Sequence, residues 1–104
     1  MKIWLDDCRI PPDGWIWAKN SMEFCSIIRA DGRPEKVSFD HDLGDDSHDG
    51  SWCASWLINR GLDLNWVPSQ WEVHSDNPCG RDNIVSKMRS WDKVWVDSNV
   101  PVTC

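Results

Sequence analysis

The sequence contains no tyrosine, only two phenylalanines, and no cysteines spaced as Cys-x-x-Cys. Without that spacing a zinc ribbon is excluded, and an odd set of five cysteines, Cys8, Cys25, Cys53, Cys79 and Cys104, gives no disulfide framework. No apolar run approaches the roughly 20 residues of a membrane span. A basic stretch followed by an apolar leader is also missing, since Met1 runs straight into an apolar segment. These absences predict a reduced, cytoplasmic chain with no membrane partner. Positive charge is scarce as well: 11 Lys and Arg stand against 17 Asp and Glu, a net charge of −6 that argues against docking on extended nucleic acid.

At 104 residues, a single domain spanning 1–104 is expected. Nine tryptophans stand where other aromatics are missing. Indole buries a large area and needs one acceptor, so the reading is core and half-buried packing, with ligand stacking as the alternative for one or two of them.

The most informative segment is Val37 Ser38 Phe39 Asp40 His41 Asp42 Leu43 Gly44, where a short apolar run ends in two carboxylates and an imidazole. Met1 to Leu5 stops in the same way at Asp6 and Asp7, and Trp71 Glu72 Val73 stops at His74 and Ser75. Ligands bind at the carboxyl ends of strands in open parallel sheets, so these three tips are expected to meet in one site.

Between these tips the chain reads as alternating strands and helices. Pro11 Pro12 and Asp13 Gly14 mark a loop. Trp15 to Ala18 is a strand candidate, but its connection to the first strand is too short for a crossover helix, which predicts an antiparallel strand or a loosely held edge. Asn20 with Glu23 forms a capping box ahead of Phe24, Ile27 and Ile28, and this helix ends near Asp31 Gly32. A strand from Lys36 to Phe39, a helix from Ser51 to Arg60, a strand from Gln70 to His74 and a helix from Asp82 to Trp91 follow, with Val94 Trp95 Val96 as a last short strand.

Alternation along an extended strand end puts Asp40 and Asp42 on one side and His41 on the other, where it faces a helix or acts behind the ligands. Asp6 or Asp7 completes a metal set of Asp6, Asp7, Asp40 and Asp42, whose oxygen donors suit Mg²⁺ or Mn²⁺. Such an ion reverses the field that an anionic phosphate meets at an acidic site. Asp45, Ser47, Asp49 and Gly50 fit the first half of a calcium-binding loop, but Trp56 stands where a bidentate Glu belongs, so no independent calcium site is expected. In His74 Ser75 Asp76 Asn77 Pro78 Cys79 Gly80 Arg81, an acid or base candidate precedes a hydroxyl, a small-residue turn and a helix start. Ser75, Asn77, Gly80 and Arg81 are the candidate phosphate-binding residues. Val85 occupies the Arg position of a cysteine phosphatase loop, so Cys79 is not read as a nucleophile.

Leu5 Asp6 Asp7 with Arg9 and Pro11, Gly14 Trp15, Ser38 to Gly44, and His74 Ser75 with Asn77 and Gly80 together resemble the cyclic-phosphate-processing receiver domain family over residues 3 to about 90. The resemblance implies an α/β fold: a minimal, flavodoxin-like three-layer sandwich with a mostly parallel sheet of about four strands and the first crossover helix missing. Asp6 with Asp7, Asp40 and Ser75 match, in order, the acidic pair, phosphoacceptor and hydroxyl of response-regulator receivers. Lys93 is the only late candidate for the receiver lysine. His41, Asp42 and His74 are additions that a phosphorylation switch does not need. The implied function is a metal-dependent phosphoesterase acting on a cyclic nucleotide or related cyclic phosphate, in nucleotide-signalling defence or counter-defence, with Asp40, His74 and His41 as the catalytic set. Asp40 attacking phosphorus directly is the alternative to a water route. The rival readings are a module that binds a nucleotide signal or a protein partner without turnover, and an acidic edge whose ion only stabilises the fold.

Overall fold

A computed structural model describes residues 1–44 and 48–99 of the chain. Its elements run β1 (Lys2–Leu5), β2 (Ile16–Ala18), α1 (Ser21–Asp31), β3 (Lys36–Phe39), α2 (Gly50–Leu64), β4 (Gln70–Val73) and α3 (Pro78–Asn99). The four strands form one sheet in the order β2-β1-β3-β4, and every pairing is parallel. This is a receiver-like α/β fold, as the resemblance implied.

Local chemistry sets the element ends. Asn20 caps α1 by accepting the Glu23 N–H at 2.8 Å, the expected capping geometry. Asp49 caps α2 through the Trp52 N–H at 2.8 Å. Pro78 opens α3, where a missing N–H costs nothing, and the Asn77 side chain accepts the Gly80 N–H at 3.0 Å.

Two expectations about single elements are corrected, as is a third, the number of layers. β2 is neither antiparallel nor loosely held: it is a parallel edge strand, with Ile3, Trp4 and Leu5 opposite Ile16, Trp17 and Ala18. The stretch from Asp6 to Trp15 is long enough to run back beside a four-residue strand in extended form, so no helix is needed for the return. Val94 to Val96 is not a strand but part of α3, which continues to Asn99. No Gly or Pro occurs between Trp91 and Asn99, so nothing stops the helix at Trp91.

The missing crossover helix also sets the layering. Connections β2-α1-β3 and β3-α2-β4 advance across the sheet in the same direction, and the right-handed rule puts their helices on the same face. The core agrees: Ile3, Leu5, Val37 and Phe39 point to Phe24 and Ile28 of α1, Leu57 of α2, and Ile84, Met88 and Trp91 of α3. The described residues therefore form two layers rather than three. The opposite sheet face carries Lys2, Trp4, Trp17, Lys36, Ser38, Gln70 and Glu72 by strand alternation.

The α2–α3 contact turns on Gly61. A Cβ there would stand 2.4 Å from Cζ2 of the buried Trp91 indole. Gly61→Ala should therefore destabilise the protein by about 1–2 kcal/mol through overpacking, despite the better helix propensity of Ala. Urea unfolding decides the sign, because propensity alone predicts a more stable variant.

Candidate functional site

The site grows out of the strand register. Leu5, Phe39 and Val73 stand side by side in β1, β3 and β4. The next residue of each strand extends the ladder by one step: Asp6 N–H donates to Ala18 O at 3.1 Å, Asp40 N–H to Leu5 O at 2.9 Å, and His74 N–H to Phe39 O at 2.9 Å. Asp6, Asp40 and His74 thus form one row across three strands, with their side chains on the face that the helices leave open. One ligand atom from each lies within 4.8 Å of the others.

Each side chain is held by defined partners. Asp6 is buried, and its Oδ1 accepts the backbone N–H groups of Cys8 and Arg9, both at 2.9 Å. Its Oδ2 lies 2.9 Å from His74 Nε2. The other ring nitrogen, Nδ1, lies 2.7 Å from Oγ of the buried Ser38, and the imidazole stacks on Trp4 with centroids 3.9 Å apart. Asp40 Oδ1 accepts the His41 N–H at 2.8 Å. The Arg9 guanidinium donates to His74 O at 2.7 Å, pairs with Asp76, and brings Nε to 3.9 Å from Asp6 Oδ2.

Burial by itself pushes the Asp6 carboxyl up, but the Arg9 and Cys8 N–H groups and the His74 ring act the other way, leaving it below its ordinary value. Asp40 is shifted up, first by burial and then by the Asp6 charge, against the His41 N–H, His74 and Arg9. Two carboxylates crowded in this way form a site that gains from a cation.

The other predicted residues are placed differently. Asp7 is exposed, and its Oδ2 lies 2.8 Å from where a Cβ would stand on Gly44, a residue with φ +61°. Asp7 belongs to a second group with Asp6 and Cys8. Asp42 turns to His41, with Oδ1 2.9 Å from Nδ1, and to Asn77 Nδ2 at 3.5 Å. The bond from His41 holds its carboxyl below the usual range. Nε2 of His41 lies 3.4 Å from Asp49 Oδ2. The ring packs on Gly80, where a Cβ would come within 2.2 Å of it. Ser75 Oγ accepts the Asn77 N–H at 3.1 Å, and the Gly80 N–H is taken by Asn77. These residues build the turn before α3. Arg81 is exposed in the first turn of α3. Asp45 to Ser47, part of the calcium-like loop, lie outside the described residues.

Two residues of this site, Ser38 and Arg9, have roles that only the fold reveals. Ser38 has the strand parity of Asp40 and is the one polar residue inside an apolar run. Arg9 follows Asp6 by the three residues that let its N–H reach back to that carboxylate.

Comparison with known protein families matches residues 1–90 to the cyclic-phosphate processing receiver domain. The chain belongs to that family. Family membership links it to cyclic-phosphate processing, and the matched span contains every residue of the Asp6–Asp40–His74 row. No curated protein and no solved structure is a significant match. Among the described residues, no helix is long and apolar enough to cross a membrane.

Two predictions follow from these contacts. Ser38→Ala removes the hydroxyl at a partly buried imidazole nitrogen and should cost about 1–3 kcal/mol in urea unfolding, whereas Ser38→Thr keeps the hydroxyl and should cost less. Carboxylate titration gives the second. The lowered Asp6 stabilises the fold above the unfolded carboxyl pKa and loses that contribution as pH falls through its folded value. The raised Asp40 has the opposite sign: its contribution is present below the unfolded pKa and lost as pH rises through its folded value. Asp40→Asn should therefore raise the metal-free melting temperature by a few degrees near neutral pH and change it little at about pH 3. A fall near neutral pH would contradict the crowding of the two carboxylates.

Proposed function

We propose that this protein is a divalent-metal-dependent phosphoesterase that processes a cyclic nucleotide or a related cyclic phosphate. The observation that carries the reading is the Asp6–Asp40–His74 row, three side chains of types that can ligate a metal, with one candidate ligand atom of each within 4.8 Å of the others at the carboxyl ends of adjacent parallel strands. Family membership supports the substrate class.

The donor set fits a dication. Asp6 Oδ2, a carboxylate oxygen of Asp40 and His74 Nε2 are the atoms that would hold it, in place of the present Asp6–His74 bond. Two carboxylates and one imidazole favour Mn²⁺ over Mg²⁺, which takes oxygen ligands almost throughout. When bound, the ion polarises a phosphoryl oxygen and lowers the pKa of bound water.

The chain's own groups do the rest. Arg9 is the cation beside the row, and exchanging its contact with Asp76 for a phosphate oxygen places that phosphate next to Asp6 and Asp40. Trp4 and Ser38 fix the His74 ring, so its Nε2 faces the row. His41 takes a positioning role, because its nitrogens lie against Asp42 and Asp49 and its backbone N–H holds Asp40. Asp40 keeps a second route open: its other oxygen accepts no hydrogen bond within the described residues, so it can attack phosphorus, forming an aspartyl phosphodiester as one ring P–O bond breaks and the released ring oxygen takes a proton from water.

One observation favours a binding module instead. Both ring nitrogens of His74 and of His41 face protein partners, so neither imidazole presents an open nitrogen to a bound phosphate in this arrangement.

Incubation with cyclic phosphates in Mn²⁺ or EDTA, followed by chromatography of bound and released nucleotide, separates the readings. The enzyme reading expects cleavage that requires Mn²⁺ and falls by at least about 100-fold in Asp40→Asn. Intact nucleotide retained on the wild type without product establishes the binding module.

A further inference from the structure

The candidate site opens onto the sheet face without helices, where three tryptophans continue from it. Trp4, stacked on His74, meets Trp15 edge-on with centroids 5.9 Å apart. Trp17 stands beside Trp4 in register. The indole N–H groups of Trp4 and Trp17 donate to Arg9 O at 3.0 Å and Asp6 O at 2.7 Å, which ties this layer to the loop that carries Asp6.

The charge of this face differs from that of the chain. Lys2 and Lys36 hold their ammonium groups 5.3 and 5.8 Å from the Trp15 centroid, and Lys19 lies 4.6 Å from that of Trp17. Away from the Asp6–Asp40 row, Glu72 is the acid of the described strands on this face, and it pairs with Lys36 at 3.5 Å. A protein of net charge −6 thus gathers three of its lysines over indole rings beside its acidic row. Indole faces flanked by amines suit flat aromatic rings that carry phosphate.

We propose that this open face is the base-binding half of the site, so that the nucleobase of a nucleotide ligand lies against Trp15 while its phosphate lies at Asp6, Asp40 and Arg9. The proposal rests on the phosphate reading above and narrows it from cyclic phosphates in general to those bearing an aromatic base. Trp15 is level with Lys2, four residues and about 13 Å along the strand from Asp6. Its ring centroid lies 5.9 Å from that of Trp4, which stacks on His74 at 3.9 Å, and this chain of rings is what brings a base on Trp15 within reach of a phosphate at the row. Trp15 lies beyond Trp4, in the direction away from the acidic row.

Equilibrium dialysis in Mn²⁺ tests this with two probes, adenosine 2′,3′-cyclic phosphate and the base-free glycerol 1,2-cyclic phosphate, counting product together with intact ligand. The nucleotide should bind the wild type at least about tenfold more tightly, and Trp15→Ala should remove that advantage without changing the affinity for the base-free probe. Equal affinity of the two probes for the wild type overturns the base subsite and leaves the phosphate site standing. Loss of both probes in a folded Trp15→Ala also overturns it, because the ring then supports the site rather than the base. Failure of both probes to bind the wild type removes the phosphate reading as well. If Trp15→Ala does not fold, intermolecular NOEs in the wild type decide: contacts from the adenine protons to the Trp15 indole support the proposal, and their absence in the saturated complex overturns it. Dimerisation through this face, seen by sedimentation with Trp15 protected, overturns it too.

Discussion

Alignment of β1, β3 and β4 is the constraint on which this molecule's chemistry depends. Because Leu5, Phe39 and Val73 share one row of the parallel sheet, the residues after them share the next, and that row reads Asp6, Asp40, His74. A slip of one residue in any strand would send that strand's core side chain to the open face and its site residue to the core. Burial of Leu5 and Phe39 against the helices thus enforces the alignment that gathers the polar row. The site costs stability, since two carboxylates sit in one row and burial pushes Asp40 up. Backbone N–H groups and Arg9 offset part of that cost.

Three of the nine tryptophans belong to the same sheet face. A receiver-like sheet that lacks its first crossover helix leaves one face without a layer, and large side chains on that face replace it. Trp4, Trp15 and Trp17 cover part of the sheet, while two of their indole N–H groups pin the loop that supplies Asp6 and Arg9. Tyrosine is absent from the chain, so indole N–H groups, donors only, meet the carbonyl oxygens of Asp6 and Arg9.

Strand ends, the α1 cap and the meeting of Asp6, Asp40 and His74 at one edge of the sheet were legible from the sequence, because apolar runs that stop at charged residues carry a strong local signal. The direction of β2 was not legible, since a long irregular return can do the work of a crossover helix. The α3 end was missed because Val94 Trp95 Val96 has strand propensity, yet nothing breaks the helix before it. Strand alternation correctly set Asp40 apart from His41, but it fails past the strand end. There Asp42 turns to His41 and Asn77 instead of joining Asp40. Ser75, Asn77 and Gly80 read as anion-binding, but their hydrogen bonds close the turn before α3. The role of Ser38 was not legible, because a lone serine in a strand says nothing until its neighbour across the sheet is known.

The central claim is that the row holds one metal ion with His74 as a nitrogen ligand. Electron spin-echo envelope modulation of the Mn²⁺-loaded protein reads nitrogen at the metal directly. The account predicts ¹⁴N modulation from a directly bound imidazole in the wild type and its loss in His74→Gln. Mn²⁺ that binds with no ¹⁴N modulation, or modulation that survives His74→Gln, would contradict it.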